Sequence, residues 1–166
     1  TGGLVSGSGS SQITVNPSTT LDNSTEYYVL IDASAFDDSS SNSYAGISST
    51  TALSFTTVNA VPTLSSSVPA DNATGVDIDA NIVLNFSESV DAESGNITLK
   101  KTSDNSTVET IDVTGSKVTG SGSAQITINP SSNFDAETEY YVLIDATAFD
   151  DSDSGSYAGI SSTTAL

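Results

Sequence analysis

The segment 145–155 reads Asp-Ala-Thr-Ala-Phe-Asp-Asp-Ser-Asp-Ser-Gly, with carboxylates at Asp145, Asp150, Asp151 and Asp153. Oxygen donors at this density, on a loop rich in Ser and Gly, suit Ca2+, which takes roughly six to eight oxygens from carboxylates and carbonyls. A near copy earlier in the chain carries Asp32, Asp37 and Asp38, with Ser40 where the later copy has Asp153. Two further groups, Glu88, Asp91 and Glu93, then Asp71, Asp77 and Asp79, complete the candidate metal ligands. The Asp-rich run resembles the start of an EF-hand loop only loosely. It has no Glu at the twelfth position and no flanking helices, so that motif is rejected. The competing reading is that these are solvated loop carboxylates.

Other chemistries are narrowly bounded. The chain has no His and no Cys, which removes Ser-His and Cys-His nucleophiles, thiolate metal sites and disulfides. A paired-carboxylate hydrolase remains formally possible, but there is no Trp to wall a sugar site. The reading is therefore not an enzyme. With 21 acidic residues, three lysines (Lys100, Lys101, Lys117) and no Arg, the net charge is −18. Nucleic acid and anionic membrane surfaces are repelled by such a chain, and a cation is the favoured partner. Acidity serving solubility alone is the plainer alternative. No signal peptide and no apolar run of about 18 residues is present, so no membrane insertion is expected, and the chain reads as an interior slice of a longer protein.

The elements that hold these carboxylates come from a repeat. Residues 1–53 align without a gap to residues 114–166, an offset of 113, with 40 of 53 positions identical. A period of that length fits one β-sandwich and exceeds any helical solenoid repeat. The organisation expected is the C-terminal half of one repeat over residues 1–57, a linker over 58–62 stiffened by Pro62, and a second repeat over 63–166 lacking its last strand.

Alternating apolar and polar residues predict strands at 12–15, 27–31 and 53–57 in the first part. In the second they predict strands at 63–68, 81–86, 96–101, 107–113, 124–128 and 140–144. Val76 and Ile78 alternate with Asp77 and Asp79. Ile82, Leu84 and Phe86, Ile97 and Leu99, and Tyr140, Val142 and Ile144 are the expected core faces. The acidic stretches 33–51 and 87–95 read as loops. Four strands or fewer cannot close a sandwich, so residues 1–57 are expected to need a partner, through frayed ends or strand exchange between chains. The Asn-x-Ser/Thr triplets at Asn23, Asn72, Asn85, Asn96 and Asn105 are chance occurrences in a Ser- and Thr-rich chain.

The residues Ser-Val-Pro-Ala-Asp-Asn-Ala-Thr-Gly-Val (67–76), Asn-Ile-Val-Leu-Asn-Phe-Ser-Glu (81–88), Gly-Asn-Ile-Thr-Leu (95–99) and Tyr-Tyr-Val-Leu-Ile-Asp-Ala-Thr-Ala-Phe-Asp-Asp (140–151) resemble the bacterial Ig-like domain of S-layer proteins and giant surface adhesins. Tyr-Ala-Gly-Ile (157–160) and Ser-Phe-Thr-Thr (54–57) fit the same pattern. The resemblance covers the whole repeat. It implies an all-β, Ig-like Greek-key β-sandwich in tandem repeats, used as an extender at the cell surface and often stiffened by Ca2+. Tyr140, and Tyr27 before it, sit where such sandwiches carry a tyrosine corner.

Alternating strand direction in such a sandwich puts Glu88, Asp91 and Glu93 at one pole with the Asp145–Asp153 loop, and Asp71, Asp77 and Asp79 at the other with Asp135 and Glu137. In a string of domains Asp22 and Glu26 of one repeat would face Glu88, Asp91 and Glu93 of the next. The function expected is a structural extender of a secreted or cell-surface adhesin, extracellular, with neighbouring repeats as partners and Ca2+ as cofactor. The alternative is a module that itself binds a glycan or protein.

Overall fold

The computed structural model describes residues 4–163. Every regular element among them is a β-strand. The chain divides into two units, Thr1–Asn59 and Ala60–Leu166.

The first unit holds β1 (Val5–Ser6), β2 (Thr14–Val15), β3 (Glu26–Tyr28) and β4 (Ser54–Thr56). β1 pairs with β2 and β3 with β4, both antiparallel. None of its described residues is fully buried.

The second unit is an all-β sandwich. Its strands are β5 (Leu64–Val68), β6 (Ile82–Ala92), β7 (Asn96–Lys101), β8 (Thr107–Asp112), β9 (Val118–Thr119), β10 (Ser123–Ile128), β11 (Tyr140–Ile144) and β12 (Phe149–Asp150). One sheet runs β12-β6-β10-β9, with β5 also on β6; the other runs β11-β7-β8. Period-2 patterning explains the layers. Ile82, Leu84 and Phe86 of β6 and Ile126 and Ile128 of β10 are buried from one sheet. Ile97, Leu99, Ile111, Val142 and Ile144 meet them from the other. Each such side chain contributes about 1.5–3 kcal/mol when fully removed from water.

One local expectation is corrected. The stretch 87–95 is not a loop up to its end: β6 continues through Ala92, and only the residues after it turn. Its acidic composition speaks against a strand, but Val90 is buried and pairing with β10 and β12 supplies ladder bonds on both edges, so tertiary context overrides propensity. Val76 and Ile78 lie outside any strand and are exposed. Tyr140 is half-buried, whereas Tyr141, on the opposite face, is buried, its hydroxyl donating to Asn105 Oδ1 at 3.1 Å.

Candidate functional site

The acidic loop is anchored by the aromatics that flank it. Phe149 and Tyr157 are buried on either side of residues 150–156 and both pack on Phe86 of β6. Ring centroids lie 5.4 Å apart for Phe86–Phe149 and 5.1 Å for the edge-to-face Phe86–Tyr157 pair. Such pairs add about 0.5–1.5 kcal/mol beyond their buried area. Burial pushes the Tyr157 hydroxyl pKa up. Between the anchors, Tyr157 N–H donates to Phe149 O and Asp151 N–H to Gly155 O, closing a small hairpin.

That anchoring brings several sequence-predicted carboxylates to one end of the sandwich. Phe149 pairs with Ala92 and Asp150 with Asp91 across β12 and β6. Glu93 N–H donates to Ala148 O, and Ser94 N–H to Thr147 O. Asp145 Oδ2 accepts the Asn96 N–H at 2.8 Å, and Gly95, at φ +109°, leaves no room for a Cβ beside Asp145 and Thr147. Asp145 therefore clamps the β6–β7 turn. Asp91 Oδ1 also accepts Ser121 Oγ at 3.3 Å. Glu88 sits where the β6–β10 register jumps from Asn85 to Val90.

Asp71, Asp77 and Asp79 are exposed at the start of β6, the other end. The 11 residues of β6 put roughly 33 Å between the two ends. Ile78 O accepts the Phe134 N–H, which ties this stretch to the segment of Asp135. There Tyr140 Oη accepts the Asp135 N–H at 2.8 Å, and Tyr27 Oη accepts the Asp22 N–H at 2.9 Å, a tyrosine corner in each unit. Lys101 pairs with Asp135 at 2.6 Å, a bond that raises the lysine pKa.

The two copies of the loop differ at one chemically telling place. In the first unit Asp38 Oδ1 accepts the Ser40 and Asn42 backbone N–H groups, and Oδ2 accepts the Asn42 side-chain amide at 2.9 Å. The Asn42 amide, then the Asn42 and Ser40 N–H groups, hold the Asp38 carboxyl below the usual carboxylate range. In the second unit Asp151 Oδ1 accepts the Asp153 and Gly155 N–H groups, each at 2.8 Å. Gly155 replaces Asn42, so the amide is gone, and Asp153 replaces Ser40. Asp151 is 7% exposed, and its Oδ2 is buried with no hydrogen-bond partner. An unsatisfied buried acceptor costs about 1–3 kcal/mol, more when charged. Among the described residues no three acidic side chains converge as a ready metal-binding group. Aligning the two copies, with attention to residue 42 against 155, carries the signal for this difference.

A second polar cluster was not read from the sequence. Glu109 is bonded to Lys117 Nζ and to Ser131, whose N–H and Oγ each lie 2.8 Å from the carboxylate. Burial pushes the Glu109 pKa up, but these bonds outweigh it and leave the carboxyl lowered. Lys117 stands where the first unit has Leu4, so the first unit cannot repeat this cluster. Nearby, Thr110, Ile111, Asp112, Gly115, Ser116 and Lys117 line a depression of about 240 Å³, below the roughly 300 Å³ at which small-molecule pockets begin.

Comparison with curated proteins and with solved structures gave no match. A family model described as a bacterial Ig-like domain matches residues 1–57 and again residues 58–164, and with the sandwich and its tyrosine corners in place the chain belongs to the bacterial Ig-like domain family.

Proposed function

We propose that the chain is a structural extender of a secreted or cell-surface adhesin of the S-layer-like kind, rigidified by Ca2+ in its loops and at inter-domain joints. Domains of this family typically occur in surface or extracellular proteins and are generally non-enzymatic structural modules. A repeating spacer needs the same backbone scheme in each copy and no specialised pocket. In support, the pairings of β1 with β2 recur in β9 with β10 at the 113-residue offset, Val5–Val15 as Val118–Ile128 and Ser6–Thr14 as Thr119–Thr127.

The observation that carries the calcium reading is the buried, unpartnered Asp151 Oδ2, next in sequence to Asp150, which faces Asp91. A divalent ion drawing in Asp151, a neighbouring carboxylate and loop carbonyls supplies the charge and coordination this oxygen lacks. The sites at Glu88 and Glu93, at Asp32, Asp37 and Asp38, and at Asp71, Asp77 and Asp79 belong to the same proposal.

Thermal melting and small-angle scattering, each in Ca2+ and in chelator, test it. The expected result is a higher melting temperature and a longer, stiffer particle in Ca2+. If both quantities are unchanged the calcium reading fails, while specific capture on a glycan array would overturn the spacer role.

A further inference from the structure

We propose that the Glu109–Lys117–Ser131 cluster guards the open edge of β8, and that without its two charges the second unit pairs through β8 with a second copy of the chain. This goes beyond the spacer and calcium readings and depends on neither.

An edge strand presents unpaired N–H and C=O groups that template association, and folded sheets blunt such edges with short strands, Pro, bulges or charge. In the sheet built on β6, the margins β9 and β12 have two residues each, and β5 runs into Pro69. The β8 margin of the other sheet has neither feature. Its six residues, Thr-Val-Glu-Thr-Ile-Asp, include no Pro and no Lys. Four of them are β-branched, the residue type that favours strands, and Val108 is 41% exposed. Among the described residues β8 pairs only with β7. A register shift lies at its Thr107 end, but the ladder from Leu99–Glu109 to Asn96–Asp112 is regular.

That regular stretch carries Glu109. Its cross-strand partner Leu99 is buried, as is Ile111 two places on, so Glu109 lies on the core side of an edge strand. Its carboxylate accepts from Lys117 Nζ and from the N–H and Oγ of Ser131. Lys117 immediately precedes β9 and Ser131 follows β10, so the cluster ties the β8 edge to the opposite sheet across the flank of the sandwich.

The Glu109 side chain is 14% exposed and that of Lys117 is 41%, so the cation still reaches water. A strand added to β8 lays its own core-side residues over this flank and takes the ammonium out of water. That desolvation opposes the backbone pairing which the edge otherwise offers. The depression lined by Ile111, Asp112 and Lys117 opens beside the same edge. With apolar side chains in place of the two charges, it becomes a slot for the side chains of an added strand.

The test replaces both charges together, Glu109→Val with Lys117→Leu, so that neither is left orphaned. Leucine is the residue at that place in the first unit, as Leu4. Sedimentation over a concentration series and amide hydrogen exchange are compared with the parent chain. The expected result is association at a concentration at least about tenfold lower than in the parent. Exchange at residues 107–112 should slow as concentration rises. Adding Thr110→Lys, a charge on the exposed face of the same strand, should restore the parent's behaviour.

Should the first variant lose the slow exchange of residues 126–128, Glu109→Gln with Lys117→Gln keeps the side-chain sizes and gives the same readout. Two outcomes overturn the proposal. One is a folded, charge-free variant whose exchange at 107–112 does not change with concentration, whether or not it associates elsewhere. The other is a parent chain whose 107–112 amides already slow as concentration rises.

Discussion

Asp91 on β6 and Asp150 on β12 are direct cross-strand partners. Two carboxylates thus stand opposite each other in an antiparallel pair, where like charges oppose pairing by about 0.2–1 kcal/mol. The pairing persists because Phe149, one residue earlier, is fully buried on Phe86, a contribution of about 1.5–3 kcal/mol that exceeds the repulsion.

Asp150→Asn keeps the size and removes the repulsion. In divalent-free buffer the variant should be more stable than the parent by about 0.2–1 kcal/mol. In excess Ca2+ the two should converge, because the parent gains more from the ion. Calorimetry with and without chelator reads both. A variant less stable than the parent in chelator would assign Asp150 a different, structural role.

The exchange Asp153→Ser with Gly155→Asn transplants the first unit's loop chemistry into the second. The Asn amide should reach Asp151 Oδ2 as Asn42 reaches Asp38, stabilising the chelated protein by about 1 kcal/mol. The Ca2+-induced shift in melting temperature should shrink at the same time. An undiminished shift would remove Asp151 from the calcium reading.

Glu109 gives a pH signature. Its carboxyl is lowered from 4.5 in the folded protein, so its contribution to stability is fully present above that unfolded value. It is lost as pH falls through the lower, folded value. The overall charge of −18 works in the other direction, since protonation relieves self-repulsion. The difference between parent and Glu109→Gln isolates the first effect. In urea titrations that difference should hold steady from neutral pH to about 5 and narrow below about 4.5. A difference that widens on acidification would contradict the assignment of Lys117 and Ser131 as its partners.

Much of the sandwich was legible because its strands carry unbroken period-2 patterns: Ile82, Leu84 and Phe86, then Ile97 and Leu99, fall on the core side as the alternation predicts. The end of β6 was not. Ser87, Glu88, Ser89 and Asp91 read as a loop, and only the pairs beyond them, Val90–Ser123 and Asp91–Asp150, reveal that the strand runs on through this stretch. The Glu109–Lys117–Ser131 cluster was equally hidden, since its members come from three separate stretches of chain and no local spacing links them.

The acidic loop separates the two kinds of information. Its local form is set by its own residues: the Asp38 and Asp151 carboxylates each accept two N–H groups from the residues two and four places on. Those bonds close in the first unit without a completed sandwich around them, because they span only a few residues. Whether the carboxylate is exposed, as Asp38 is, or buried with an orphaned oxygen, as Asp151 is, depends on β6 and Phe86 arriving from more than fifty residues away. The sequence by itself determined the loop, the repeat and the strand faces. Only long-range packing decided which carboxylates were brought face to face and which one was taken out of water.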